Sequence, residues 1–391
     1  MQHSNELSQP ESPQSESETI SSAARREAAR LEALADAWLA GEIDNELTTN
    51  ASMAATSVEA LIEELVAPSA PLQPEHLRVL SDLNQHDAAI VQRDWPLIPT
   101  DRRRAVSAYL VELAEDDLTL HLGRILRIAL DDEDPEVRRD AIRGLWEEIS
   151  VDLAGPLMHM LGHDPAIRVR EIAAETLGAY VLAGELDEFD ATLAFRIGEA
   201  LLAVLTDERA PLDVRRRALE SMAYSGEAGV RQLIEDAYYS PEEVMRVSAL
   251  VAMGRSGDVR WRGLVRAELQ NPSPNMRLEA ATACGELDAK ASVNELIGLL
   301  NEDEQQPVRI AAIGALGQIG GKTAREALQA MRESDDPAEV EAADLALEEL
   351  IFFADPANML AEEEEELEEL EYDPWTSWRD FDDDDLGSYE E

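Results

Sequence analysis

The sequence predicts an all-α protein in which antiparallel helix pairs stack into a solenoid, with disordered acidic termini. The first observation is composition: of 391 residues, 45% are hydrophobic but only 5% are aromatic, and the abundant Ala, Leu and Glu favour helices over sheets. The second is length, because a single compact core rarely grows beyond about 250–300 residues. The third is an internal repeat with a period near 31 residues, which is typical of stacked repeat architectures.

Seven segments carry this repeat. Each begins with an arginine, followed by an alanine three residues later and a larger apolar residue seven residues later. These offsets trace one face of an α-helix, and the small alanine allows a neighbouring helix to approach closely. The segments begin at Arg102, Arg138, Arg170, Arg215, Arg246, Arg277 and Arg309. The last three intervals are 31, 31 and 32 residues, whereas the 45 residues after Arg170 indicate an insertion over 182–195.

A second apolar stretch precedes most of these segments, so each repeat is predicted to be a pair of antiparallel helices. A small polar residue and a proline stand ahead of most second helices, as in Asp134-Pro135, Asp164-Pro165 and Ser273-Pro274. Such a pair is typical of a helix start, because the polar side chain caps free N–H groups and proline has none to leave unbonded.

Composition predicts how the rest of the chain is organised. Residues 1–21 lack apolar content and 355–391 are strongly acidic, so both segments are predicted to be disordered. The predicted order is a disordered N-terminus (1–21), an amphipathic helix (22–41), a linker with short helices (42–84), about eight helix pairs (85–354) and an acidic tail (355–391).

The start of the second helix resembles the HEAT-repeat family, in particular its short bacterial form named after phycobilisome lyases. The family's second helix opens with an Asp-Pro-x-x-Val-Arg-like run, then small and apolar residues, then Leu-Gly; the segments here are DPEVRRDAIRGL (134–145) and QPVRIAAIGALG (306–317). The resemblance implies that the repeat arginine and the capping aspartate link neighbouring repeats in a polar ladder. The arginines given this role are Arg138, Arg170, Arg246, Arg277 and Arg309, whereas the repeat of Arg215 lacks the aspartate.

The charge of the chain limits its partners. The formal net charge is −50, and both ends and the repeat region are acidic. Because the phosphate backbone requires the opposite charge, nucleic acid is not expected as a partner. No apolar stretch approaches the roughly 18 residues of a membrane span, and the polar N-terminus is no signal peptide. The single cysteine, Cys284, fits a reducing compartment, so a cytoplasmic protein without membrane association is expected.

No residue set in the sequence predicts catalysis. The segment GQIGGKT (317–323) ends like a P-loop, but Leu316 occupies the position of the first glycine, and the preceding segment has helical periodicity. His159 and His163 have metal-like spacing without a second pair, and Cys284 occupies a core position of the repeat. We therefore expect no catalytic, cofactor-binding or metal-binding residues.

The alternative function is a repeat-scaffold enzyme or lyase. The HEAT-like superfamily includes deoxyhypusine hydroxylase, whose iron is held by His-Glu dipeptides, and the phycobilin lyases. This chain contains no His-Glu dipeptide. The resemblance therefore favours a non-catalytic scaffold or adaptor that binds protein partners, and the acidic charge favours basic partners. The identity of the partner and the oligomeric state stay open.

The acidic tail contains aromatic residues that a purely solubilising spacer does not need. These are Tyr372, Trp375, Trp378 and Phe381. The last three are spaced by three residues, so an induced helical turn would place them on one side, and aromatic anchors are typical of binding hot spots. The hypothesis is a docking element for a basic partner or for the solenoid's own surface; a solvated spacer is the alternative.

Overall fold

The structure is a computed structural model that describes residues 57–67 and 72–353. The chain divides into two compact units, Met1–Ile125 and Leu126–Glu391. Predictions for 1–21, for the helix over 22–41 and for the tail over 355–391 fall outside the described residues. Among the residues that are described, all regular structure is helical, and no helix combines the length and apolar character needed to cross a bilayer.

The first unit is built from short helices packed around leucines and valines. Its helices are α1 (Val58–Val66), a 3₁₀ helix (Pro74–Leu80), α2 (Gln85–Asp94), a 3₁₀ helix (Trp95–Leu97) and α3 (Thr100–Asp116). Polar side chains cap the first two α-helices: Ser57 Oγ accepts the amide of Ala60 at 3.2 Å, and Asn84 Oδ1 accepts that of His86 at 2.8 Å. The core includes Leu61, Leu65, Leu77, Leu80, Val91, Val106 and Leu110.

The apolar stripe of α3 lies one residue later than the sequence analysis predicted. Arg103, Val106 and Leu110 are buried, whereas Arg102 is only partly buried. In the second unit, the repeat arginine of every second helix from α5 to α15 is the fourth residue after the N-cap. Pro99 is the N-cap of α3, which makes Arg103 the equivalent residue. The position of the helix start therefore sets the register, and the alanine three residues after Arg102 led the sequence analysis to the wrong arginine.

Up to residue 353, where the described part ends, the second unit contains seven successive helix pairs, the first of which begins at Gly123, just before the unit boundary. Their helices are α4 (Gly123–Ala129), α5 (Pro135–Gly144), α6 (Val151–His163), α7 (Ile167–Glu185), α8 (Ala191–Thr206), α9 (Leu212–Met222), α10 (Ala228–Tyr238), α11 (Glu243–Arg255), α12 (Arg262–Glu268), α13 (Pro274–Glu286), α14 (Val293–Glu302), α15 (Gln306–Ile319), α16 (Gly321–Met331) and α17 (Pro337–Phe353). Short 3₁₀ helices, Val259–Trp261 and Lys290–Ser292, precede α12 and α14.

Packing within the second unit follows one rule. From α6 onward, the first helix of each pair packs against the second helix of the same pair, and in the α4–α5 pair Leu126 lies against Gly144. The second helices of successive pairs, α5 to α17, also pack against one another. They form a continuous layer, the second-helix layer, so this unit is an α-solenoid as predicted.

The predicted apolar stripe forms the core of the second unit. The six alanines at its third position are fully buried: Ala141, Ala173, Ala218, Ala249, Ala280 and Ala312. The larger residues at its seventh position are at most 3% exposed: Leu145, Leu177, Met222, Met253, Cys284 and Leu316. Burial of these side chains between neighbouring helices supplies the stability that one helix pair lacks alone.

The proline-marked helix starts take different forms. Asp134 accepts two amides of the first turn of α5 at 3.0 and 3.4 Å, as predicted. Asp164 instead accepts the amide of Ala166 at 2.8 Å, and α7 begins one residue after that alanine. Ser273 makes no cap bond; its hydroxyl donates to Glu243 of the preceding repeat at 2.7 Å. The side chains of Asp164 and Ser273 bond to the preceding repeat, so they do more than cap their own helices.

The insertion after α7 lengthens that helix to 19 residues. The turn that follows contains Asp187 in the left-handed region, with φ of 59°, a conformation that aspartate tolerates better than most residues. Asp190 then caps α8 by accepting the amide of Leu193 at 2.8 Å. The extra residues therefore build a longer edge between two repeats and leave the stacking of the second helices unchanged.

Candidate interaction surface on the second helices

Arg138 links two neighbouring repeats through a buried ion pair. Its Nε and Nη2 donate to both carboxylate oxygens of Asp164 at 2.8 and 2.9 Å, and its Nη1 donates to the carbonyls of Asp132 and Glu133. The two side chains of the pair are 10% and 6% exposed. This bidentate geometry is the strongest form of an arginine–carboxylate pair.

Arg277 and Arg309 form the corresponding links later in the solenoid. Arg277 donates to Asp303 at 2.6 and 3.0 Å, and this guanidinium holds the pKa of Asp303 below its usual range. Arg309 donates to Glu339 at 2.6 Å and to the carbonyl of Asp303 at 2.8 Å. Charge-assisted hydrogen bonds therefore run from α13 to α17.

Arg170 and Arg246 bond within their own repeats. Arg170 donates to the carbonyl of Leu161 at 2.9 Å, and Arg246 donates to that of Ser240 at 2.9 Å. Within the described part of the chain, neither forms an ion pair with the next repeat. Asp164 and Asp303 stand two residues before the N-cap of their second helix. In the repeats that follow Arg170 and Arg246, that position holds Arg209 and Asn271, so no acid is offered there. Arg215 likewise donates to a carbonyl of its own repeat.

Glycines allow successive second helices to approach closely. A Cβ on Gly285 would lie 2.9 Å from the Cα of Ala315 and 2.2 Å from Oε1 of Gln318. A Cβ on Gly254 would lie 2.0 Å from Oε2 of Glu286. Glu286 and Gln318 therefore lie across a glycine of the preceding repeat, and the Glu286 carboxylate loses part of its hydration shell.

One buried glutamate is fully engaged by its neighbours. Glu220, 2% exposed, accepts hydrogen bonds from Arg217 Nη1 at 2.7 Å and from the hydroxyl of Ser248 at 2.5 Å. Arg216 Nη1 lies 3.6 Å from the same carboxylate, and Arg255 donates to the Glu220 carbonyl at 3.3 Å. These contacts offset the cost of burying the charge, so Glu220 stabilises the layer and is not available to a partner.

Three other glutamates of the layer lack such compensation. Among the described residues, Glu171, Glu279 and Glu286 find no hydrogen-bond donor and no cationic nitrogen within 4 Å. Burial raises the pKa of Glu279, and the charges of Glu220 and Glu286 raise it further, whereas the more distant Arg255 and Arg217 lower it in part. Burial also raises the pKa of Glu171 and Glu286. A carboxylate that has lost water without gaining a cation is stabilised when a cation binds.

Apolar side chains share this exposed side of the second helices. They stand at the first or fifth position after the repeat arginine in α11, α13 and α15, and all are partly exposed: Val247, Val251, Leu278 and Ile310. The glutamates stand at positions one, two and nine, which lie on the same side of an α-helix. We call this surface, with its three glutamates, the carboxylate face.

The residues considered for catalysis lie in the core, in a turn and on α6. Cys284 is fully buried, as predicted, and burial raises the pKa of its thiol to about 11. The P-loop-like segment is a turn between α15 and α16, in which Gly320 has a φ of 73°. The rings of His159 and His163 stack at 4.8 Å, and His163 Nδ1 lies 3.2 Å from the carbonyl of His159.

One group of side chains in the first unit has metal-like spacing. Glu59, His86 and Asp87 place potential ligand atoms within 4.8 Å of one another in the first turns of α1 and α2. Helix N-termini carry partial positive charge, which disfavours a cation there, and Asn84 already donates to Asp87 at 2.7 Å. The first turns of the two helices favour the carboxylates of Glu59 and Asp87 without a metal ion.

Sequence analysis did not single out the glutamates of the carboxylate face. The chain contains 83 acidic residues, and nothing in their types distinguishes Glu171, Glu279 and Glu286 from the others. The available signal was their position relative to the repeat arginine. The predicted tail residues Tyr372, Trp375, Trp378 and Phe381 lie outside the described residues, so their role stays a prediction.

Several solved structures are similar to this chain at low identity. YibA from E. coli is 18% identical, with 70% of this chain and 94% of YibA covered and a TM-score of 0.38. Human deoxyhypusine hydroxylase in complex with glycerol is 20% identical, with 76% and 97% covered and a TM-score of 0.31. Importin beta is 16% identical, with 83% and 53% covered and a TM-score of 0.39. We draw nothing about function from these similarities.

Family comparison agrees with the repeat geometry. Comparison with curated proteins gives no match. The family model for HEAT repeats matches residues 124–192, which contain α4 to α7, and residues 263–348, which contain most of α12 to α17. Both segments consist of the helix pairs described above, and the pairs between them follow the same packing rule. Residues 124–192 and 263–348 are therefore HEAT repeats.

Proposed function

We propose that this chain is a non-catalytic scaffold that holds a basic segment of a partner protein on the carboxylate face. The observation that supports the proposal is the state of Glu171, Glu279 and Glu286, whose carboxylates have lost part of their hydration and, among the described residues, have no hydrogen-bonded or ion-paired cation within 4 Å. A lysine or arginine of a partner would supply that cation. In the same layer, the buried charge of Glu220 is compensated by hydrogen bonds that Arg217 and Ser248 donate to its carboxylate.

Long-range charge supports the same partner class. Residues 126–353 contain 44 acidic and 23 basic residues, a net charge of −21. This field would raise the association rate of basic segments and repel acidic ones, including nucleic acid. The apolar side chains of the face, such as Leu278 and Ile310, would add contact area that does not depend on salt.

Binding of a labelled peptide of eight lysines, measured by fluorescence anisotropy with the full chain, tests the proposal. We expect the double variant Glu279→Gln/Glu286→Gln to weaken binding about tenfold at physiological salt. The matched control is Glu302→Gln/Glu304→Gln, which removes the same charge from exposed residues at the end of α14; it should change binding less than about twofold. Equal losses in the two variants would show diffuse attraction and refute the assigned face.

The pH dependence gives a second readout. Because the pKa values of Glu279 and Glu286 are raised above 4.5, these carboxylates become neutral at a higher pH than ordinary glutamates. Binding of the peptide should therefore weaken as the pH falls toward 4.5, before most surface acids are protonated. A binding curve unchanged by Glu279→Gln/Glu286→Gln across this range would contradict the proposal.

The acidic tail is proposed as a second binding element. Trp375, Trp378 and Phe381 would anchor it to the partner, and the surrounding carboxylates would add charge complementarity. Deletion of residues 362–391 should weaken capture of the partner from the native host when full-length and shortened chains are compared. Unchanged capture would leave the tail as a spacer.

A further inference from the structure

Exposed apolar side chains are concentrated at one edge of the second unit, where one repeat passes into the next. They are Trp146, Ile149, Val151, Leu182, Leu186 and Phe195, between 37% and 64% exposed. We call this set the apolar edge. It comes from three stretches: the loop after α5 with the start of α6, the last turns of α7, and the first turn of α8. It lies in other repeats than Glu279 and Glu286 of α13, and it does not depend on them.

Direct contacts bring these three stretches together. The hydroxyl of Tyr180 in α7 donates to the carbonyl of Glu148 at 3.1 Å and accepts the amide of Ser150 at 3.3 Å. These bonds tie the end of α7 to the loop that carries Ile149. Further along α7, a Cβ on Gly184 would lie 2.4 Å from the Cβ of Ala194, the residue before Phe195. The insertion after α7 therefore extends one apolar edge across successive repeats.

Acidic residues surround the apolar edge. The stretches 146–152 and 182–199 contain eight acidic residues and a single basic one, Arg196. Arg127 pairs with Glu148 at 2.5 Å and with Asp152 at 3.2 Å, which offsets part of this charge. The carboxylates of the α7–α8 loop, including Asp187 and Glu188, belong to exposed residues. The edge therefore combines apolar area with a negative rim.

The negative charge around the apolar edge favours a basic partner over the acidic tail and over a second copy of this chain. The tail over 355–391 has a net charge of −16 and would be repelled by this rim, as would a second copy of a chain with net charge −50. A partner with apolar side chains flanked by lysine or arginine fits both parts of the surface. Stacked helices lie about 8–10 Å apart, so the edge spans about 20 Å, which a helix of about 14 residues covers.

We propose that the apolar edge binds a basic amphipathic helix of another protein. Trp146 and Phe195, 51% and 60% exposed, supply the aromatic anchors that typically dominate such interfaces. Leu182 and Leu186 stand one turn apart on α7 and extend the contact along that helix. The apolar face of the partner helix would lie on these side chains, with its basic residues against the rim.

A designed 18-residue peptide tests this proposal with the full-length chain. The probe carries leucine at helical spacing and lysine elsewhere, and a second peptide has the same composition in scrambled order. Fluorescence anisotropy should show that the first binds at least about tenfold more tightly than the second, because only the first forms a continuous apolar face. Equal affinities would mean that charge alone attracts both peptides, and would overturn the proposal.

Substitutions test whether the amphipathic peptide binds at the apolar edge. Trp146→Ser/Phe195→Ser should lower the affinity for the amphipathic peptide at least about tenfold. The control Ile167→Ser/Tyr239→Ser removes exposed apolar side chains outside the apolar edge, 48% and 71% exposed, and should leave binding unchanged. Equal effects of both pairs would refute the assignment. Because all four side chains are at least about half exposed, the variants should fold, which circular dichroism checks.

Two further outcomes distinguish peptide binding at the apolar edge from self-association and from binding at the carboxylate face. If Trp146→Ser/Phe195→Ser converts a dimer to a monomer without changing peptide affinity, the edge is an interface between copies and the proposal is wrong. If Glu279→Gln/Glu286→Gln abolishes amphipathic peptide binding while the edge variants retain it, the peptide occupies the carboxylate face and the proposal is equally wrong. Loss in the edge variants with retention in Glu279→Gln/Glu286→Gln supports the proposal.

Discussion

Substituting Arg277 by methionine tests whether buried ion pairs hold successive repeats together. Arg277 donates to both oxygens of Asp303 at 2.6 and 3.0 Å and to the carbonyls of Asn271 and Pro272. The Asp303 side chain is 3% exposed and that of Arg277 is 17% exposed. Arg277→Met would therefore leave a nearly buried carboxylate with one remaining partner, the amide of Gln305 at 2.9 Å.

The burial of the Arg277–Asp303 pair determines how much stability Arg277→Met should lose. Removing one partner of a buried ion pair costs about 3–5 kcal/mol, and the residual exposure of Arg277 favours the lower end, about 3 kcal/mol. The pKa of Asp303 is held below its ordinary 3.8 in the folded state. The stabilisation is therefore fully present above pH 3.8 and is lost as the pH falls through the lowered value. The difference between wild type and Arg277→Met should shrink accordingly.

Native-state hydrogen exchange is the appropriate assay, because a repeat array does not always unfold in one step. Amides of α13 and α14 should exchange about a hundredfold faster in Arg277→Met at neutral pH, whereas those of α6 and α7 should change little. The control Arg260→Met removes an exposed arginine that pairs with Asp258 at 2.7 Å, and should leave α13 protected.

A double variant separates the ion pair from general disruption. Arg277→Met/Asp303→Leu should recover part of the lost protection, since the unpaired carboxylate is gone. Two results would refute the reasoning: protection of α13 in Arg277→Met that equals wild type, or a double variant less protected than the single one.

Three further predictions concern packing. Gly285→Ala should lower the free energy of unfolding by about 1–3 kcal/mol in urea titration, because the new Cβ would lie 2.9 Å from the backbone of Ala315. Gly298 has open space around it, so Gly298→Ala should raise the free energy of unfolding by about 0.5–1 kcal/mol. Cys284 should resist a thiol reagent until denaturant is added, since it is buried with a pKa of about 11; rapid native labelling would contradict its core position. Tyr180→Phe should cost about 1–2 kcal/mol through its two lost backbone partners, measured as faster exchange of residues 148–152.

The repeat arginines show where sequence reasoning ends. Their presence could be recognised from the spacing, but which of them reaches an acid in the next repeat could not. Arg138 and Arg277 do so because the following turns present Asp164 and Asp303, whereas the turn that follows Arg246 has Asn271 at the equivalent position. The pairing depends on two loops that are separated by a whole helix pair, so no local pattern determines it.

Periodicity by itself determined the fold class and the core. Apolar side chains at offsets of three and seven must be buried on one helix face, so burial of Ala280 and Cys284 followed from their spacing alone. The register of α3 was wrong because Arg102 has the alanine that the pattern requires at offset three, whereas the helix start at Pro99 places Arg103 at the repeat position.

The surfaces were decided only by the tertiary structure. Glu279 and Glu286 differ from the other acids through the helices stacked against them, which remove water while Arg255 stays too far away for an ion pair. The apolar edge joins Trp146 to Phe195, far apart in the chain, because α7 packs between them. Periodicity along a helix predicts which side is buried, whereas the composition of an exposed surface depends on which repeats become neighbours in space.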